Sequence, residues 1–293
     1  MGKSTPSRPK SQNNLELGLF VTATPIGNAR DITLRALDVL RHCDAILTED
    51  TRVTAKLLAI HAISRPLVTY NDHNAARMRP AILTRLAAGE RIALVSDAGT
   101  PLISDPGYKL VREALAAGER VHVVPGASAV LAALVISGLP TDRFLLAGFL
   151  PSGTSARRSV LAELKQLRSS LIFFESPRRL AESLRDMCEV LGRRQGAVVR
   201  ELTKLHEEVC RGELSHLSLK YSSEPPRGEI TIVVGPPEST TPNLDRLDAL
   251  LDKALAFMPV RAAAELASDA LGLPRRAAYE RALTRKESAK DDL

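Results

Sequence analysis

The sequence predicts an α/β protein with two α/β domains, followed by a small helical unit that resembles a helix-turn-helix. Short apolar runs alternate with stretches of helical spacing over residues 18–136, and the alternation resumes over residues 144–234. Beyond residue 243 the patterns are helical only. Strand–helix alternation with apolar strands is typical of parallel sheets that are covered by helices on both faces.

Composition is that of a globular protein, with 44% apolar and 25% charged residues, and a length of 293 residues leaves room for two cores. The net charge of +6 permits a polyanionic partner without requiring one. Cys43, Cys188 and Cys210 match neither a disulfide framework nor a zinc pattern, and the histidines do not cluster with them. We therefore expect a reducing compartment and no metal site.

Four regions follow from these patterns. Residues 1–16 form a polar tail without the apolar core of a signal peptide, and no run approaches the roughly 18 apolar residues of a membrane span. We expect a cytoplasmic protein with no membrane contact. The N-terminal α/β domain is predicted at residues 17–137, the second α/β domain at 138–237 and the helical unit at 243–293.

Each domain has its own series of elements. In the first, strands are expected at residues 18–22, 45–47, 67–70, 91–95 and 121–124, with helices between them, the first capped by Asp31 or Thr33. In the second, strands are expected at 144–149, 170–174, 197–200 and 229–234, an extended segment at 207–211, and helices at 156–167 and 178–191. Helices at 244–257, 260–270 and 275–283 complete the chain, with a turn at 272–274.

Residues 96–107 (SDAGTPLISDPG) stand out because they form a long turn between a predicted strand and a predicted helix. Connections in α/β units usually have about 2–6 residues. The two glycines and two prolines give a stiff backbone that a ligand can approach closely, and Asp97 and Asp105 supply acceptors. Polar turns follow the other strands too, so all of them should meet at the carboxyl edge of the sheet, where α/β proteins bind ligands.

Several familiar sites are absent from the sequence. It contains no G-x-G dinucleotide loop and no Walker lysine loop, and residues 126–130 match only half of a nucleophile elbow. What remains is a pocket of glycine, proline, small apolar residues and a few carboxylates. Such a pocket suits a mid-sized cofactor held largely by backbone hydrogen bonds.

Six motifs occur in the order of a known superfamily: residues 24–28 (TPIGN), 48–52 (TEDTR), 96–107, 124–129 (VPGASA), 173–178 (FFESPR) and 200–204 (RELTK). Over about residues 17–236 the chain resembles the tetrapyrrole-methylase superfamily of class III S-adenosylmethionine-dependent methyltransferases, and in particular its ribosomal RNA branch. Ala23 departs from the glycine usual at that position.

The resemblance implies a cleft between the two α/β domains that binds S-adenosylmethionine. It also implies 2′-O-methylation of the ribose of a decoding-region cytidine in 16S rRNA of the small ribosomal subunit, and a homodimer. The cofactor-binding residues that it implies are Pro25, Asp97, Ala98, Gly99, Thr100, Pro101, Leu102, Ile103, Ser128, Ala129, Phe174, Glu175, Leu202, Gly228, Glu229, Ile230 and Thr231.

A ribose hydroxyl is a weak acid, so its methylation calls for a general base. The candidates are Asp105, Asp50, Glu175 and Glu201, and we favour Asp105. Each of the four could instead be a loop cap or the partner in a salt bridge.

Basic residues accompany the same motifs and are candidates for RNA phosphate contacts. They are Arg52, Arg178, Arg179, Arg200, Lys204 and Arg227. Aromatic residues make up only 3% of the chain, so extensive base stacking is disfavoured, and Phe173 and Phe174 lie in an apolar strand typical of a core. We expect folded RNA or an assembled subunit as substrate, while the basic C-terminal helix could either bind RNA or only pack.

Three alternatives remain open on sequence alone. The first is a methyltransferase that acts on a porphyrinoid ring. The second is a noncatalytic RNA-binding or assembly factor. The third is an enzyme that binds a phosphorylated ligand at the helix start near residues 126–128, although no lysine or metal site accompanies it.

Overall fold

The computed structural model describes residues 15–237 and 244–291, without the side chains of residues 244–246 and 288–291. Most of the predicted tail lies outside these residues. Leu15 and Glu16 lie in the range predicted for the tail, but they contact the first domain. The carbonyl of Leu15 accepts a hydrogen bond from Arg91 at 2.8 Å, and Glu16 pairs with Arg120 at 3.3 Å.

The first sheet is fully parallel, with the order β3-β2-β4-β1-β5. Its strands are β1 (Gly18–Thr22), β2 (Ala45–Thr48), β3 (Leu67–Thr69), β4 (Arg91–Leu94) and β5 (Val121–Val124). Helices α1 (Leu34–His42), α2 (Thr51–Ile60), α3 (Ala75–Ala87) and α4 (Tyr108–Ala116) connect them. Apolar clusters on both faces bury the central strands, as the continuously apolar runs predict.

Helix α1 begins after Thr33, whose hydroxyl accepts a hydrogen bond from the Ala36 amide at 3.1 Å. The other candidate cap, Asp31, belongs to a short 3₁₀ turn at Ala29–Asp31. The hydroxyl of Thr33 therefore satisfies one of the amides left free at the start of the helix.

Helix α5 (Ala129–Ser137) joins the two sheets. It falls in the range predicted for the first domain, but Val130, Ala133 and Leu134 pack in one cluster with residues of the second sheet, such as Ile172 and Val233. Ser128 caps its start, and Gly138 ends it with φ 76°, a left-handed conformation that glycine adopts readily.

The second sheet is mixed, with the order β6-β7-β10-β8-β9. Its strands are β6 (Phe144–Phe149), β7 (Ser170–Glu175), β8 (Gln195–Arg200), β9 (Glu208–Glu213) and β10 (Ile230–Val234). Only β6 and β7 pair in parallel, whereas β8, β9 and β10 form antiparallel ladders. Helices α6 (Thr154–Leu164), α7 (Leu180–Leu191) and α8 (Leu214–Ser223) belong to the same domain.

Helices α9 (Leu244–Leu255), α10 (Val260–Leu271) and α11 (Arg275–Asp291) form a separate unit. Its core is small and rich in alanine, which lets the helices approach closely. Helix α11 extends eight residues beyond the predicted end at 283. Two of its basic residues are held within the unit, because Arg281 pairs with Asp248 and Arg285 pairs with Asp252.

Within the described ranges, no helix is long and apolar enough to cross a bilayer. The same residues contain no group of three or more histidine, cysteine or acidic side chains that could hold a metal ion.

Candidate functional site

Residues 96–107, here called the rim loop, are tied to the turns that follow β1 and β5. Thr24 and Gly99 exchange two backbone hydrogen bonds of 2.9 and 3.1 Å, and the Thr24 hydroxyl donates to the Ser96 carbonyl at 3.0 Å. The Thr100 hydroxyl donates to the Ala127 carbonyl at 3.2 Å. Three of the predicted turns therefore meet at the carboxyl edge of the first sheet.

The rim loop has a strained backbone. Leu102 and Ser104 adopt left-handed conformations with φ 72° and 69°, in a region where residues other than glycine are uncommon. Each such residue costs on the order of 1–3 kcal/mol and persists only where its surroundings hold it. These two conformations set the path of the chain on either side of Ile103 and into Asp105.

A loop of the second domain reaches across to the first. In this crossing loop, residues 201–207, the Thr203 hydroxyl accepts a hydrogen bond from the Asn28 amide at 3.0 Å. A Cβ atom on Gly27 would lie 2.6 Å from the Thr203 hydroxyl and 2.7 Å from the Leu202 carbonyl. Glycine at position 27 is therefore what allows the two domains to come this close.

Between the rim loop and the crossing loop lies a cavity of about 450 Å³, the cofactor cavity. Both domains line it. From the first come Ile26, Ala98, Ile103, Ser104, Asp105 and Ala129, and from the second Phe149, Phe174, Glu175, Ser176, Pro177, Val199, Leu202, Gly228, Glu229, Ile230 and Thr231.

Most of the implied cofactor residues line this cavity or its neighbour. Pro25 and Asp97 line an adjoining cavity of about 250 Å³ together with Ala98 and Glu229. Five others, Gly99, Thr100, Pro101, Leu102 and Ser128, line neither of the two cavities. They shape the rim loop or cap α5 instead.

The sequence-based set of site residues omits six residues that line the cofactor cavity: Ile26, Ser104, Phe149, Ser176, Pro177 and Val199. Phe149 ends β6, and its ring lies 5.5 Å from that of Phe174 between centroids. Phe173 is buried as predicted, whereas Phe174 on the opposite face of β7 is only half-buried and reaches the cavity. The alternation of a strand could have separated the two phenylalanines.

Among the carboxylates at this site, Asp105 has the pKa that departs most from its ordinary value. Burial, followed by the nearby charge of Glu49, raises its pKa to about 6, although a hydrogen bond with Ser96 opposes the shift. Burial also raises the pKa values of Asp97 and Glu49. A raised carboxylate pKa in a cleft is typical of groups that exchange protons.

The three other candidate bases are engaged in structural contacts. Asp50 caps α2 and pairs with Arg52, which lowers the pKa of Asp50 to about 2. Glu175 is buried and accepts hydrogen bonds from the Ser183 hydroxyl at 2.5 Å and the Ser176 amide at 2.8 Å. Glu201 accepts from the Glu229 amide and from Lys204, both at 2.9 Å.

The predicted RNA-binding residues divide into two groups. Arg52, Arg179, Arg200 and Lys204 bind carboxylates or carbonyls of the chain itself. Arg178 and Arg227 are exposed, and within the described residues their guanidinium groups make no ion pair. Arg178 and Arg227 are therefore more available to bind an RNA phosphate than the four paired residues.

Comparison with known proteins gives two family matches. Residues 18–218 match the model of tetrapyrrole (corrin/porphyrin) methylases, and residues 241–286 match the RsmI C-terminal HTH domain. A Mesorhizobium japonicum protein named ribosomal RNA small subunit methyltransferase I is 48% identical, with 97% of this chain and 96% of that protein covered. A protein of the same name from Erythrobacter litoralis is 49% identical, over 94% of this chain and 98% of that one.

Solved structures share the fold. Uroporphyrin-III-C-methyltransferase from Thermus thermophilus gives a TM-score of 0.55 at 20% identity, with 74% of this chain and 93% of that chain covered. Diphthine synthase gives 0.59 at 14% identity, with 74% and 89% covered. These likenesses confirm the predicted fold class.

The predicted resemblance is thus confirmed by sequence matches over nearly the whole length of both proteins. The chain belongs to the tetrapyrrole methylase family and, within it, to the ribosomal RNA small subunit methyltransferase I family.

Proposed function

We propose that this chain transfers a methyl group from S-adenosylmethionine to the ribose 2′-hydroxyl of a cytidine in 16S rRNA. Family membership supports the reaction class, and the cytidine ribose follows from the resemblance of the motifs. The observation that carries the chemistry is the cofactor cavity, which residues of both domains line and which has Asp105, with a pKa of about 6, in its wall.

The cavity suits this cofactor. Its volume of about 450 Å³ lies within the roughly 300–1,000 Å³ of small-molecule sites. Ala98 and Ala129, which have small side chains, line it together with residues 228–231. The neighbouring carboxylates of Asp97, Glu49 and Asp105 favour a cation nearby. Bound S-adenosylmethionine supplies an electrophilic methyl group on a positively charged sulfur.

The residues of the chain would then position and deprotonate the acceptor. Methyl transfer is an in-line displacement, so its rate depends on holding the donor and the acceptor in one geometry. The rim loop, which hydrogen bonds fix to the neighbouring turns, provides a rigid surface for holding them. Asp105 accepts the proton of the ribose hydroxyl as the new bond forms. Ile26 and Phe149 add apolar surface that keeps water from the reacting atoms.

The substrate that we propose is small-subunit RNA in its folded or assembled form. The shortage of aromatic residues argues against an extended single strand, while Arg178 and Arg227 supply exposed cations beside the cleft. In the helical unit, Arg261 is exposed and lines a cavity of about 460 Å³ that we propose as a contact for the RNA backbone. Arg275 and Arg276 line the same cavity but pair with Glu265 and Glu280. A ribosomal substrate would place the protein in the cytoplasm.

We also propose a homodimer that buries the outer face of α5. This helix is apolar all round, and the face opposite the second sheet leaves Leu131 52% and Val135 76% exposed. A helix that is apolar on every side is usually buried on every side. Val135→Glu should therefore give monomers in light scattering, whereas Leu219→Glu, a control on α8 with 74% exposure, should not. A monomeric wild type would refute the dimer.

The test of function is a map of ribose methylation in small-subunit RNA from cells with and without the chain. Complementation with Asp97→Ala should lose cofactor binding in calorimetry. Complementation with Asp105→Ala should keep cofactor binding and lose the modification. Transfer of labelled methyl groups to a porphyrinoid, or no binding of S-adenosylmethionine at all, would refute the proposal.

A further inference from the structure

Asp105 faces a second cavity on the other side of the rim loop. This cavity, the acceptor cavity, has a volume of about 240 Å³, and Asp72, Arg79, Gly107, Tyr108 and Lys109 are among the residues that line it. Asp105 lines both this cavity and the cofactor cavity. We propose that the acceptor cavity receives the target nucleotide, with its ribose at Asp105, its base against Tyr108 and a phosphate at Lys109. This inference rests on the function proposed above.

The path of the rim loop explains why one carboxylate serves both cavities. Ser104 and Gly107, with φ 69° and 135°, turn the chain sharply on either side of Asp105 and Pro106. A Cβ atom on Gly107 would lie 2.8 Å from Leu94 Cδ2, so the backbone here rests directly on the sheet. The turn at residues 104–107 is therefore fixed, and the carboxylate of Asp105 lies between the cofactor cavity and the acceptor cavity. A base must lie there to take a proton from an acceptor that faces the methyl donor.

Tyr108 has the features of a stacking surface. Its side chain is 64% exposed, although it begins a helix whose other face is buried at Leu110 and Ala114. The Arg112 guanidinium lies 5.8 Å from the centre of the tyrosine ring, a cation–π contact that restricts the movement of the ring, and Tyr108 lines the acceptor cavity. A single well-placed ring is enough to bind one unpaired base, even in a chain that is poor in aromatic residues.

Lys109 and the start of α4 supply the positive charge. Lys109 is exposed, and within the described part of the chain no ion pair engages it. Helix α4 begins after Gly107, which has no side chain to cap the amides of the first turn, and the positive end of the helix dipole adds to the charge of Lys109. Arg79, by contrast, is held by Glu113 at 3.0 Å and shapes the wall.

The size of the cavity distinguishes between classes of acceptor. At about 240 Å³ it has roughly half the volume of the cofactor cavity, so it can enclose part of one nucleotide, with the base outside against Tyr108, and has no room for a macrocycle. A duplex is also too wide. The target must therefore leave its stack and enter singly, as in enzymes that flip a nucleotide out of its helix. Asp72, exposed at the edge, can accept a hydrogen bond from an exocyclic amino group such as that of cytosine.

The experiment uses the purified full-length chain and small ribosomal subunits from cells that lack it. It measures kcat/KM for subunits with labelled S-adenosylmethionine, and the cofactor Kd by calorimetry. Tyr108→Ala should lower kcat/KM roughly 5- to 150-fold, which corresponds to the loss of one stacked base, and leave the cofactor Kd unchanged. Tyr108→Phe should retain the wild-type value because it keeps the ring.

Lys109→Ala should reduce the slope of log affinity against log salt concentration by about one, as expected for one lost phosphate contact. Lys56→Ala, a matched change of an exposed lysine on α2, should change neither quantity. Tyr108 and Lys109 are both exposed, so the variants should fold, and their melting temperatures verify this.

The acceptor assignment is refuted, while the proposed function stands, if the wild type methylates subunits and the kcat/KM values of Tyr108→Ala and Lys109→Ala lie within twofold of the wild-type value. It also fails if Tyr108→Ala acts through the cofactor Kd. A wild type that binds the cofactor but methylates no RNA would instead refute the proposed function, and the acceptor assignment with it.

Discussion

Replacing Asp105 with asparagine should separate catalysis from stability. Asparagine has nearly the same size and can still accept the hydrogen bond from Ser96, but it cannot take a proton. Loss of a general base usually lowers the rate by roughly 10²- to 10⁴-fold. We expect kcat to fall within that range while the Kd for S-adenosylmethionine changes little.

The pH dependence of the wild type follows from the pKa of about 6. A base is active when deprotonated, so about nine-tenths of the enzyme is active at pH 7 and about one-tenth at pH 5. The rate should therefore fall about tenfold between these values. In Asp105→Asn, the small residual rate should not show this step.

The reaction rate should rise with pH, whereas the contribution of Asp105 to the free energy of unfolding should fall. The folded pKa of Asp105 lies above its unfolded value of 3.8, so its favourable contribution is complete below pH 3.8 and is lost as the pH rises through 6. A shift of that size corresponds to about 3 kcal/mol, and solvent screening of this partly exposed group reduces the expected effect to about 1–2 kcal/mol. Asp105→Asn should thus be more stable than wild type by about that amount at pH 8.

The assay is urea unfolding of both proteins at pH 8 and near pH 4, together with single-turnover rates from pH 5 to 8. Asp142→Asn, an exposed aspartate outside the two cavities, is the control. The stability difference should close toward pH 4. An Asp105→Asn variant that keeps wild-type turnover would refute the assignment of Asp105 as the base. One that is less stable than wild type at pH 8 would refute the raised pKa of Asp105.

Two further predictions concern the scaffold. Gly27→Ala places a methyl group 2.7 Å from the Leu202 carbonyl, so the crossing loop must shift. Urea unfolding should show a loss of about 1–3 kcal/mol in stability. Calorimetry should show at least tenfold weaker cofactor binding. Gly212→Ala, where the nearest atom to the added methyl group is 3.9 Å away, is its control. Arg157→Met removes a fully buried guanidinium that donates to Asp186 at 2.6 Å. The free energy of unfolding should fall by about 3 kcal/mol, the lower end of the range for a broken buried ion pair, because Arg158 still contacts Asp186. An unchanged unfolding midpoint in either variant would contradict the corresponding prediction.

The position of the site could be predicted from sequence because it depends on local rules. Parallel strands end at one edge, and the turns after β1, β4 and β5 carry glycine, proline and hydroxyl side chains that can hold one another, as Thr24 and Thr100 do. The rim loop was recognisable from its length and composition alone.

What the sequence could not give depends on contacts between distant segments. Arg200 and Lys204 looked like free cations, but Glu208 and Glu229 engage them across the second domain. The antiparallel ladders of β8, β9 and β10 are set by pairing partners, which periodicity does not encode. Helix α5 follows the first domain in sequence but buries its apolar face on the second sheet, because that is where Ile172 and Val233 offer apolar surface.

The strain in the rim loop connects these observations to function. Leu102 and Ser104 would relax to ordinary conformations in an isolated peptide, so the contacts of Thr24, Ser96 and Thr100 must hold them. What this arrangement gains is a carboxylate with a cavity on either side and a raised pKa. A relaxed loop would let Asp105 turn toward solvent, where its pKa would return to the ordinary value and its activity as a base would weaken. The same contacts that make the loop rigid therefore also set the proton affinity on which the proposed reaction depends.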